Sequence, residues 1–210
     1  MNILIKKMNI SLDSRKSYFF IILIMFCLGL SFGLYTVKYM GPADKNDLIS
    51  YFTSFTKTLE NNPVSYGKLL FEVIKKNIIV ILPIFLFGLT FLGGPIILII
   101  DLLKGFTLGY TFSFIATAFD GKGLGLAIAS IIPQNLIYIP CIIGMSIIAL
   151  TMSAESFKRK FFKKSKGNGK LPDGVLKKFL LLLIIYISGI LVETYVSPSL
   201  IKFVAVRFYL

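Results

Sequence analysis

Twenty consecutive residues, Tyr18 to Val37, read YFFIILIMFCLGLSFGLYTV without one charged side chain. At about 1.5 Å of rise per residue, such a run covers roughly 30 Å as a helix, the thickness of a bilayer's hydrocarbon core. Further apolar runs lie within 78–119, 124–152 and 176–196. Runs of this length with few charges read as membrane spans. The chain of 210 residues is 56 % hydrophobic, and its mean hydropathy is +0.82. A soluble domain of that length has no use for so much apolar surface. The fold class is therefore all-α, a polytopic integral membrane protein.

The formal charge of +13 comes from 23 Lys and Arg against 10 Asp and Glu. In a soluble chain that excess would point to nucleic acid. Here cationic residues flank spans on the cytoplasmic side, as the positive-inside bias requires, and no nucleic-acid partner is implied. The chain has no histidine, which removes the commonest general base and metal ligand together. Cys27 and Cys141 both fall inside predicted spans and form neither a C-x-x-C nor a four-ligand set; they read as small packing residues. No metal and no cofactor is expected.

Lys6, Lys7, Arg15 and Lys16 precede the first span. The apolar core behind them exceeds a signal-peptide h-region and no A-x-A-like site follows, so the segment reads as an uncleaved anchor. The region 38–76 is polar and mixed in sign. In it Leu48, Phe52, Phe55 and Leu59 share one helical face, with Asp44 or Asn46 as a cap. Residues 77–119 are too long for one helix. A turn at Gly93-Gly94-Pro95 gives spans at 77–92 and 95–119, whereas a turn at Asp101 to Lys104 gives a short third span. Either way there are two crossings. The run from Leu124 to Leu150 covers about 40 Å if straight, so it must tilt, kink or break. Residues 153–178 carry nine Lys or Arg against Glu155 and Asp173 and form a basic cytoplasmic loop. The N-terminal tail, basic but for Asp13, is cytoplasmic too. Two cytoplasmic segments need an even number of spans between them. The expectation is five spans, 18–37, 77–92, 95–119, 124–150 and 176–196, in a single membrane domain 1–210. The N-terminus is then cytoplasmic and the C-terminus exterior.

Few polar residues fall inside these runs. Asp101 and Lys104 lie three apart and pair if helical, or sit at the cytoplasmic surface if the turn falls there. Gly105, Gly109, Ser113 and Thr117 recur every four residues, a small-residue stripe that admits a close helix neighbour; Gly29 and Gly33 have the same spacing in the first span. Glu193 either snorkels to the outer interface beside Tyr195 or forms a buried site. The stretch SIIPQNLIYIPC, Ser130 to Cys141, holds Pro133, Gln134, Asn135 and Pro140. Pro133 cannot donate to Ala129, nor Pro140 to Leu136, and the amides between them can bond to freed carbonyls or to a neighbouring helix. The segment is either a broken helix lining a transport site or a kinked one whose amides fasten an interface.

SIIPQNLIYIP, KGFTLGY and VETYVSP together resemble the stage II sporulation protein M family of endospore-forming bacteria. The resemblance implies a role in engulfment during sporulation, at the septum and the engulfing mother-cell membrane. It also implies two partners, stage II sporulation proteins D and P, which cut peptidoglycan and which a non-enzymatic membrane scaffold recruits or holds. The residues agree with that. A histidine-free chain with small exterior loops has little with which to hydrolyse a glycan or a peptide. An aspartyl intramembrane protease needs two facing acids, and of the nearby aspartates Asp101 has only Asp120, in a loop. The alternative function is a small-solute transporter using the proline-broken fourth span.

Overall fold

The computed structural model describes residues 2–61, 65–118, 123–162 and 174–209, with side chains for 16–50, 54, 65–118, 123–161 and 174–203; every element among them is helical. In chain order these are α1 (Asn2–Lys38), α2 (Pro42–Asn61), α3 (Tyr66–Gly88), α4 (Gly93–Ala118), α5 (Gly123–Phe162), α6 (Val175–Leu191), a π-helical segment (Val192–Val196) and α7 (Ser197–Tyr209). The Asp120 loop, most of the basic loop, and the side chains of Phe52, Phe55, Leu59 and the cationic tail before Lys16 lie outside the described residues.

α2 starts before the expected cap. Pro42 opens it, where a missing N–H costs nothing, and Asp44 follows in its first turn. α3 ends at Gly88, and the chain turns over residues 89–92 on bonds from Leu89 N–H to the Leu86 carbonyl (3.2 Å) and from Thr90 N–H to the Phe87 carbonyl (3.0 Å). A Cβ on Gly93 would sit 1.7 Å from the Phe87 carbonyl oxygen, so only glycine lets the chain close here. The turn therefore precedes Asp101 and Lys104, and both lie well inside α4 rather than at a surface turn.

α1 and α4 are the most closely packed pair. A Cβ added to Gly105 or Gly109 would stand 2.2 Å from the carbonyl oxygens of Phe26 and Leu30, and one on Gly29 or Gly33 would meet those of Leu102 and Phe106 at 2.0 and 2.2 Å. Both small-residue spacings thus face each other, and the backbones touch with no side chain between them. The stripe stops there: Ser113 is half-buried and Thr117 is exposed.

α5 is the central element. It spans 40 residues, about 60 Å, and runs unbroken through Pro133 and Pro140. Ile22, Ile84, Ile97, Ile142, Met145 and Tyr186 close the core around it, from five helices. At its far end the Phe157 and Phe161 rings meet at a tilt, and Phe161 and Lys160 pack on Phe91 of the 89–92 turn.

Among the described residues four helical segments are long and apolar enough to cross a membrane: Lys16–Lys38, Gly93–Ala118, Gly123–Phe161 and Val175–Phe203. The last continues through the π-helical segment into α7, beyond the sequence expectation that the span ends at 196. α3 is not among the four. It has the length, but every eighteen-residue window of it includes Glu72, Lys75 and Lys76.

Candidate functional site

The buried polar side chains fall in a seam along α5. Its buried members Gln134, Tyr138, Ser146 and Ser153 span about 28 Å of helix, close to one bilayer thickness. At one end Ser153 Oγ accepts from the Gly94 N–H at 3.0 Å, tying α5 to the start of α4. Further along, the Ser146 hydroxyl donates to Asp101 Oδ1 at 2.8 Å, while Asp101 Oδ2 is buried with no partner among the described residues.

The widest junction is around Tyr138. Its hydroxyl donates to Glu193 Oε2 at 2.7 Å. Asn77 Nδ2 donates to the Val73 carbonyl at 2.8 Å, and approaches the Tyr138 hydroxyl at 3.3 Å and Glu193 Oε2 at 3.5 Å. The Tyr186 hydroxyl donates to Asn77 Oδ1 at 2.5 Å, and the two tyrosine rings stack with centroids 4.4 Å apart. One network therefore joins α3, α5, α6 and the π-helical segment. The Lys104 ammonium adds α4: it lies 5.6 Å from the centre of the Tyr138 ring, within cation–π range.

Two local devices aim these groups. A π-helical turn carries one residue more than an α-turn and rotates the facing of the residues after it. Here it leaves Glu193 half-buried and Thr194 and Ser197 buried. Gly189 supplies clearance, because a Cβ there would fall 2.6 Å from the Tyr138 ring. Beyond the turn, the Ser197 hydroxyl donates to Gln134 Oε1 at 2.8 Å and fastens α7 to α5.

In the proline-bracketed stretch neither amide meets a carbonyl freed by a proline, that of Ala129 or of Leu136. Gln134 Nε2 donates to the Ser130 carbonyl and Asn135 Nδ2 to the Ile131 carbonyl, each four residues back in α5. Both amides bond within this chain, and Gln134 alone reaches another helix. Asp101 and Lys104 do not pair: one turns to Ser146 and the other to Tyr138. Glu193 points inward, away from the snorkelling position. Gly105 and Gly109 belong to the α1 contact, apart from the seam. Asn77, Ser146, Tyr186 and Ser197 were not singled out from the sequence. Asn77 carried one usable signal, an amide opening an apolar run directly after two lysines; Tyr186 in an ordinary apolar run carried none.

Depth sharpens the chemistry. Gly105 packs between Phe26 and Leu30, the middle of α1's twenty-residue apolar run, so its neighbour Lys104 lies near the bilayer centre. A lysine there costs roughly 3 kcal/mol unless it is engaged. The Tyr138 ring engages it, and the hydroxyl of that ring in turn donates to Glu193. Among the described residues no three Cys, Asp or Glu side chains converge as a metal site requires. The Ser146 hydroxyl donates to the Asp101 carboxylate, and the chain has no imidazole with which to form a Ser–His pair.

A multi-pass helical bundle with an internal polar seam is what fold and site define. The family model of stage II sporulation protein M matches residues 22–198, and the chain belongs to that family. No curated protein and no solved structure matches it. The protein is a sporulation-associated membrane protein.

Proposed function

We propose that this protein is a non-enzymatic membrane scaffold that holds septal peptidoglycan-degrading proteins during engulfment, stage II sporulation proteins D and P being its partners. The observation that carries this reading is how the polar side chains are used: they bond from helix to helix, so the bundle resembles a fixed frame more than a catalytic cleft. Membership of the family supports the cellular setting. The transporter alternative drew on a broken fourth span and on intramembrane Asp101, Lys104 and Glu193; α5 is one continuous helix, and those three side chains meet Ser146 and Tyr138 of α5, which favours a helix-to-helix role for them.

Co-purification tests the scaffold. The tagged chain, solubilised from sporulating cells, is expected to bring down both wall-degrading partners, and its deletion to scatter them from the septum. Correct localisation of both partners in the deletion strain overturns the reading.

A further inference from the structure

The N-terminal half of α3 carries Lys68, Glu72, Lys75 and Lys76, all exposed and, among the described residues, without an ion pair. Their depth can be read from α5. Asn77 bonds to Tyr138, and a Cβ on Gly88 would touch Ala149; both pairs are 61 residues apart, so the two helices run parallel in constant register. Lys75 and Lys76 therefore stand level with Leu136 and Ile137, and residue 137 is the midpoint of the apolar run Leu124–Leu150. At the same heights α5 exposes Ile128 (44 %), Ile132 (47 %) and Leu136 (75 %), a lipid-facing surface. The second depth gauge agrees, because Tyr138 lies beside mid-bilayer Lys104.

Headgroups are about 15 Å from the bilayer centre, further than a four-carbon lysine stem reaches. Ionisable side chains at such depth face protein or water and pair with one another. Among the described residues α2 does not cover this face; its Leu48 and Ile49 pack at the α1–α4–α5 end of the bundle. Three lysines against one glutamate leave the face positive, so a second copy would bring like charge against it.

We propose that this face of α3 docks a transmembrane helix of a partner chain, one with an Asp or Glu side chain near mid-bilayer that Lys75 and Lys76 engage. The proposal deepens the scaffold reading and rests on it for the existence of a membrane partner.

The test places a photoreactive residue at Phe71, which is 69 % exposed and one turn before Lys75 on the same side of α3, in the full-length chain in membranes of sporulating cells. The expected product is an adduct whose partner peptide maps to a membrane span containing Asp or Glu. Lys75→Leu with Lys76→Leu should lower its yield by about tenfold or more, and Lys75→Arg with Lys76→Arg should retain it. The leucine variant makes α3 more apolar, so insertion is not at risk. An adduct between two copies, to a span without an acid, or indifferent to the leucine variant overturns the proposal. So does absence of any protein adduct, whether or not a cysteine at Glu72 reacts with a water-soluble maleimide as an aqueous cleft would allow. Recovery of the wall-degrading proteins without this adduct sinks the docking face alone. An acid-dependent adduct to a protein that cuts no peptidoglycan sinks the scaffold reading alone.

Discussion

The Tyr138 hydroxyl donates to Glu193 while Asn77 approaches it from α3, so removing one oxygen atom leaves two partners short. Tyr138→Phe should lower stability by about 1–3 kcal/mol, read as earlier thermal unfolding in detergent. An unchanged transition would mean that the junction does not hold the bundle. Asp101 and Ser146 give a second measurement, with a sign that can be checked. Ser146→Ala alone leaves neither Asp101 oxygen with a partner among the described residues and should cost about 1–3 kcal/mol; adding Asp101→Leu should recover much of that loss, because two apolar groups need no bond. Side chains such as Gln134, Asp101 and Glu193 could be read as special from the sequence, since a polar group in an oily run is conspicuous. Their partners could not. Tyr186 and Ser146 matter only because tertiary packing brings them to Asn77 and Asp101, residues 109 and 45 positions away.

Among the elements, the π-helical segment does most to place the site. Five residues at π spacing turn the chain by about as much as four at α spacing, so deleting Val196 should return the segment to an α-helix and leave α7 facing as before. A disulfide between cysteines at Gln134 and Ser197 should therefore form in the intact chain and in the deletion alike, and should fail when one alanine is inserted after Val196 instead. The α1–α4 contact is the other decisive pairing. Gly105→Ala or Gly109→Ala pushes a methyl into a carbonyl of α1 and should cost about 1–3 kcal/mol each; a crosslinked pair of cysteines across these helices would report the separation. The four-residue spacing pointed to this contact, because small residues in register have few other uses in hydrocarbon. It did not say which helix would come, and the answer was the other glycine pair. The π-turn left no sequence mark at all, since VETYV reads as any helical stretch.

For the whole molecule, membrane residence and the helical class follow from apolar length alone. The path of the chain was harder to read. Two turn sites in 77–119 satisfied the same parity, and the clash at Gly93 with the Phe87 carbonyl distinguishes them only in three dimensions. The standing of α3 was harder still, because composition and packing pull apart there: it lies along α5 in register, yet carries charge that a lone span would not tolerate. That conflict reaches into how the protein is made. A translocon weighing α3 by itself meets two central lysines, each roughly 3 kcal/mol against partitioning, besides Lys68 and Glu72, and fifteen apolar residues worth roughly 0.5 kcal/mol each to offset them. α3 should stay outside the lipid until α4 emerges and the tight 89–92 turn lets the two enter as a hairpin. A chain cut at Leu92 and tethered to the ribosome by a polar linker that clears the exit tunnel should leave Tyr66–Gly88 accessible to protease. One cut at Ala118 and tethered the same way should protect it. Assembly of this protein is thus timed by its second hydrophobic segment waiting for its third.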